Sequence, residues 1–194
     1  TSCNITNGNK IFVGWSTSSS ATSGTFTVND ANTATYYAVW ATPSCNISNA
    51  SSANPTTPTN NAPNCSVTCG TGYHFGNGAN STTTGTVSGT AGNTSVSSNN
   101  ACNLNKYTVT FKTGNTSIDS MSVNHGEATT LRSISSLSSG VPAALKSNGW
   151  VFNGWATTYT ATSNYSDEAS VAFTGDTTLY GIWKRDITYN YYSN

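Results

Sequence analysis

Tyr107, Val109 and Phe111 alternate with Thr108, Thr110 and Lys112, so YTVTFKT predicts a strand with one apolar and one polar face. GNTS then supplies turn residues, and IDSMSV predicts a second strand with Met121 and Val123 on one face and Ile118 on the other. Asn124-His125-Gly126 closes that strand as a turn. Leu131, Ile134, Leu137 and Val141 recur at helical spacing, a short apolar stripe that Pro142 interrupts. GWVFNGWAT and VAFTG predict two more strands and TTLYGIWK a last, aromatic one. Lys106–Arg185 therefore reads as one complete small domain. Its order of two strands, a helix and further strands is compatible with a β-grasp sheet.

The same signals occur a second time. FVGWST at Phe12–Thr17 echoes FNGWAT at Phe152–Thr157, and YYAVW ending at Trp40 echoes LYGIW ending at Trp183. Four of the five tryptophans, Trp15, Trp40, Trp155 and Trp183, thus fall in two copies of one pattern. Strict alternation along Phe152–Trp155 predicts that Phe152 and Trp155 lie on opposite faces, with Gly154 leaving room for close approach. A ring of this size buries about 150–250 Å², so these positions predict core aromatics. The alternative for Trp15, Trp40, Trp155 and Trp183 is a sugar-stacking platform.

YTVTFKTG, VNHGEATTL, GWVFNGWAT and FTGDTTLYGIWK together resemble the Listeria–Bacteroides repeat, also called the internalin B-repeat. The resemblance implies a small β-grasp-like fold, a place on a microbial surface protein, a stalk, adhesin or spacer role, and no catalytic residues. Asn9–Trp40 resembles only the second half of such a repeat. At the other end, Ile187, Tyr189 and Tyr191 alternate with Thr188, Asn190 and Tyr192 as the opening strand of another. The chain reads as beginning and ending inside a repeat. The expected partners are copies of itself, joined head to tail by strand addition, or adjacent repeats of a longer chain.

Between the copies the material changes. ATPSCNISNASSANPTTPTNNAPNC predicts an extended linker, and the Cys-containing stretch after it a small stapled β module, with disorder as the alternative. The fold class is accordingly mostly β (α+β): small β-grasp-like repeat domains, one complete and one partial, joined by a Cys-containing Ser/Thr/Asn/Gly-rich segment. The boundaries fall at 1–41, 42–105, 106–185 and 186–194.

Composition adds a location. Only 7% of residues are charged and the net charge is zero, so no basic field exists for nucleic acid or an anionic membrane surface. No apolar run is long enough to span a bilayer. Residues 31–105 contain no Asp, Glu, Lys or Arg, a surface chemistry common in secreted fibres and adhesins, and eight Asn-X-Ser/Thr sequons agree with an outside location. Five cysteines predict two disulfides: Cys3 with Cys45, and Cys65 or Cys69 with Cys102. A zinc site on Cys65, Cys69 and His74 lacks a fourth ligand at useful spacing.

No catalytic, cofactor or metal residue stands out. Asp167 and Glu168 are adjacent and so face apart, which suits a solvated turn better than an acid/base pair. The Gly-rich runs lack the lysine and strand–helix context of a phosphate loop. The sequence thus predicts an extracellular, cell-surface structural protein, a stalk or filament subunit assembled by strand complementation, and not an enzyme. The alternative is a carbohydrate- or cell-binding adhesin module contacting host glycans.

Overall fold

The computed structural model describes residues 6–24, 35–159 and 162–187. The chain divides into two units, Thr1–Leu104 and Asn105–Asn194.

In the first unit, β1 (Ile11–Ser16) and β2 (Tyr37–Ala41) form an antiparallel pair. Then follow β3 (Ser44–Ile47), β4 (Ala50–Thr59), β5 (Ala62–Cys69), β6 (Tyr73–Phe75), β7 (Thr84–Ser88), β8 (Ser95–Ser98) and β9 (Cys102–Leu104). β4, β5 and β7 make a three-stranded sheet in that order; β3 pairs with β8 in parallel, and β6 with β9. The stretch expected as a linker is therefore strand. Pro55 and Pro58 lie in β4, an edge strand, where a missing N–H costs no ladder bond. Asn60 and Asn61, both at positive φ, form the two-residue turn between Thr59 and Ala62. Consecutive left-handed residues are what a tight hairpin needs, and Asn tolerates them.

Disulfides sit at the centre of this sheet module. Cys65, Val67, Cys69, Val96 and Cys102 are buried together with Ile47 and Ala101, and Tyr73 and Phe75 pack on them. Cys69 is bonded to Cys102, and Cys45 to Cys65. The expected Cys3–Cys45 pair is thus corrected. β3 and the central strand β5 contribute to one core, which puts Cys45 beside Cys65; Cys3 itself lies outside the described residues. Because both sulfurs are in disulfides, Cys65 and Cys69 are not available as zinc ligands beside His74.

The second unit contains β10 (Lys106–Thr113), β11 (Thr116–Asn124), β12 (Ala128–Thr130), α1 (Ala143–Ser147), β13 (Val151–Ala156), β14 (Ser170–Ala172) and β15 (Thr177–Lys184). Its main sheet has the order β11-β10-β15-β13. β10 and β15 run parallel at the centre, flanked by antiparallel neighbours, and β12 pairs with β14. Val109, Phe111, Trp155 and Leu179 are fully buried in a core that Leu131, Leu137 and Phe173 complete.

Two bulges change the alternation read from the sequence. On β11, Phe111 faces Asp119 while Lys112 faces Ser117, so Ile118 is the extra residue. The resulting shift lets Ile118 pack on the same core as Met121 and Val123. On β13 the register breaks between Phe152 and Gly154. Phe152 and Trp155 consequently meet, edge to face at 5.0 Å, rather than lying on opposite faces. Gly154 makes this possible: its φ is 115°, and a Cβ there would overlap the Tyr165 carbonyl oxygen. Gly154→Ala should cost about 2–4 kcal/mol from the backbone and the overlap combined. Chemical denaturation of the second unit checks this value.

The apolar stripe Leu131–Val141 is not helical. Leu131, Leu137 and Val141 are buried as expected, but the chain around Ser133–Gly140 is a series of turns, and the helix begins only after Pro142. The serines explain the difference. The Ser133 hydroxyl accepts from the Ser136 N–H and the Ser136 hydroxyl donates to the Ser133 carbonyl, which offers the backbone an alternative to helix.

Candidate strand-acceptor site

The two echoes found in the sequence have the same geometry. In the second unit, Phe152 pairs with Trp183, the bulge follows, and then Gly154 pairs with Ile182, Trp155 with Gly181 and Ala156 with Tyr180. In the first, Phe12 pairs with Trp40, a bulge follows, and then Gly14 pairs with Val39, Trp15 with Ala38 and Ser16 with Tyr37. Gly14 is also at positive φ, 140°. The rings repeat as well. Phe12 meets Trp15 at 5.4 Å and Trp40 at 5.7 Å, and Phe152 meets Trp155 at 5.0 Å and Trp183 at 5.3 Å, all edge to face.

What surrounds the two hairpins differs. β15 has β13 on one edge and β10 on the other, and Phe111 of β10 meets the Trp155 ring at 4.9 Å. Trp155 is then completely buried. β2 has β1 on one edge and, among the described residues, no strand on the other. Trp15, in the slot of Trp155, is only half-buried. Trp40 and Trp183 are half-buried too, so of the four expected core aromatics Trp155 alone is fully enclosed. For Trp15 the reason is physical: among the described residues, the β1–β2 pair has no neighbouring strand carrying an apolar ring over it, as β10 carries Phe111 over Trp155.

The far edge of β1 is occupied. Asn61, held at positive φ in the β4–β5 turn, accepts from the Phe12 N–H at 2.8 Å through Oδ1 and donates through Nδ2 to the Phe12 carbonyl at 2.9 Å. Asn9 adds bonds to the Pro55 carbonyl and the Thr57 hydroxyl. A side-chain amide thus satisfies both backbone groups that a strand would otherwise seek at Phe12. Of the expected assembly strand, Ile187 is exposed, while Tyr189 and Tyr191 lie outside the described residues. The sequence reading did not single out Asn61, although the Asn-Asn pair was visible as a hairpin signal.

The other candidate groups serve the fold. Asp167 accepts from the Ile134 N–H, Asp176 from the Thr108 N–H and Glu127 from the Asn124 amide; Asp119 pairs with Arg132. Glu168 sits at positive φ in a turn. Among the sequon asparagines, Asn64 is buried and fully bonded, to the Thr57 carbonyl, the Thr59 hydroxyl and the Ser88 hydroxyl. An aromatic groove of about 710 Å³ lies in the second unit between α1 and β15, lined by Leu145, Trp150, Tyr159 and Trp183. The Arg185 guanidinium lies 5.5 Å from the Trp150 ring centre. Trp150 and Tyr159 fall outside the repeated slots, which is why sequence comparison of the two copies missed them.

Comparison with known families gives one match. Residues 107–182 match the model of the Listeria-Bacteroides repeat domain. No curated protein and no solved structure matches the chain. The repeat family points to an extracellular surface protein, and two disulfides fit an oxidising location. No helix among the described residues is long and apolar enough to cross a membrane.

Proposed function

We propose that this chain, whose residues 107–182 form a Listeria-Bacteroides repeat domain, is a non-enzymatic structural protein of a surface stalk or filament, extended by strand complementation. The observation that carries this reading is the shared register of β1–β2 and β13–β15, together with the edge of β2 that answers to the β10-bearing edge of β15. β1–β2 then acts as the closing half of a β-grasp-like repeat, whose outer edge takes an opening strand of β10 type. Such a strand satisfies backbone groups along its length and brings an apolar side chain over Trp15. The engagement of the acidic side chains in backbone bonds and an ion pair supports a structural rather than a catalytic role.

The test is to add a synthetic peptide of residues 106–114, the β10 sequence, to the intact protein. The expected result is saturable binding, with a blue shift of tryptophan emission that Trp15→Phe abolishes. Absence of binding at millimolar peptide would overturn the reading.

The groove at Trp150, Tyr159 and Trp183 supports a second reading, a glycan-contacting adhesin module. Tyr159 is 72% and Trp150 38% exposed, so both rings can meet a ligand. Binding of the intact protein to a glycan array, lost in Trp150→Ala, would favour it.

A further inference from the structure

We infer that the groove between α1 and β15 binds a linear acidic oligosaccharide, one whose pyranose rings carry uronate carboxylates. This rests on the glycan-contacting reading above and adds the chemical class of the ligand and the part each side chain plays.

Three depressions run together here. The groove shares Gly114 and Tyr159 with a hollow of about 560 Å³ that reaches Asn115 and Thr158. It shares Lys184 with another of about 430 Å³ beside Arg185 and Asp186. The result is an open trough, which suits a chain of sugars better than a single small molecule.

Its middle is aromatic. Tyr159 is 72% and Trp150 38% exposed, and Tyr180 braces the Tyr159 ring edge to face at 6.0 Å. The C–H face of a pyranose lies on such rings, while the hydroxyls at its rim need hydrogen-bond partners.

The floor supplies those partners. Thr113 is only 6% exposed, and its Oγ1 has no hydrogen-bond partner among the described residues. The same holds for Nε1 of Trp183, which lies against Gly181. Thr113, Gly181 and Trp183 all line the groove. Buried polar atoms left unpaired are costly and few in native proteins, so two on one groove point to a ligand that pairs with them. Their cover is light. α1, which carries Leu145 of the groove wall, is five residues long and buries none of them, so a ligand displaces it readily.

One end is cationic. Lys184 lines the groove, and the Arg185 guanidinium stands 5.5 Å from the Trp150 ring centre. Lys146, exposed in the last turn of α1, follows Leu145. Asp186 is the acid at this end, so three of the seven Lys and Arg of the chain face one carboxylate. A guanidinium held on an aromatic face is pre-organised for two-pronged pairing with a carboxylate. A uronate with its ring on Trp150 and its carboxylate at Arg185 and Lys184 uses the rings and the charge together; a neutral sugar uses the rings alone.

The experiment titrates the intact protein by calorimetry with hexasaccharides of galacturonate and of hyaluronan, each beside its carboxyl methyl ester. At least one acid form should bind about tenfold tighter than its ester. That advantage should shrink several-fold as NaCl rises from about 50 to about 500 mM. Arg185→Gln should bring the acid form down to the affinity of the ester. Thr113→Val should weaken both forms about tenfold while the thermal midpoint holds or rises, because the unpaired hydroxyl is gone. A merely structural hydroxyl would move the midpoint and not the affinity. Equal affinity for acid and ester, or an Arg185→Gln variant that keeps the difference, would overturn the acidic class and leave the glycan reading standing. A hexaglutamate peptide bound as tightly as the best hexasaccharide would assign the groove to acidic protein and overturn the inference. No binding of any probe at millimolar concentration would overturn it too, and an empty glycan array beside that result removes the reading beneath it.

Discussion

Trp155→Ala should lower the stability of the second unit by about 3–5 kcal/mol, the range for truncating a fully enclosed large ring. Trp155 has no exposed surface, and Phe111 and Phe152 meet it edge to face at 4.9 and 5.0 Å. Its Nε1 has no hydrogen-bond partner, so the loss comes from packing and the cavity rather than from a broken polar contact. Trp15→Ala is the informative comparison. The same slot in β1 is half-buried, and the loss there should be about 1–2 kcal/mol for the partial burial of one ring. Under the proposed complementation this smaller loss grows when the strand is added, because the ring is then enclosed. Urea denaturation followed by far-UV circular dichroism, with and without the 106–114 peptide, measures both. A loss below about 1 kcal/mol in Trp155→Ala would contradict the described core.

Reduction should unfold the sheet module of the first unit and leave the second unit folded. The bridges span 20 and 33 residues, and loop closure of that size removes about 3–4 kcal/mol of unfolded-state entropy each. The module has little else to replace them. Its buried aliphatic side chains are Ile47, Val67, Val96 and Ala101, and the bonded sulfurs lie among them. The second unit contains no cysteine and holds a larger apolar core. Under native conditions with added reductant, amide exchange in β5 should accelerate to the rate of an open chain while β10 and β15 stay protected. Unchanged protection of β5 would show that hydrophobic burial alone suffices there. Cys69→Ser should reproduce about half of the stability loss.

The sequence reading went furthest where side chains repeat at short range. Tyr107–Thr113 alternates, and the structure turns Val109, Phe111 and Thr113 inward. It failed where one extra residue resets the count, at Ile118 and between Phe152 and Gly154, because a bulge leaves no mark on composition. It failed again at Ser133–Gly140, where hydroxyl-to-backbone bonds outweigh an apolar stripe. Cysteine spacing left several pairings open, and Cys45–Cys65 was selected by the burial of β3 and β5 in one core.

By itself the sequence determined the match of residues 107–182 to the Listeria-Bacteroides repeat, the alternation of β10 and the echo between the two aromatic hairpins, since all of these rest on local pattern and on recurring residues. Only the tertiary structure decided which edges are closed. The parallel contact of β10 with β15 joins segments about seventy residues apart along the chain, and no local preference encodes it. Asn61 reaches Phe12 across 49 residues for the same kind of reason, by the placement of a hairpin turn. Those two long-range contacts, one packing Phe111 on Trp155 and one satisfying the Phe12 backbone on the far side of β1, were decided by the tertiary structure.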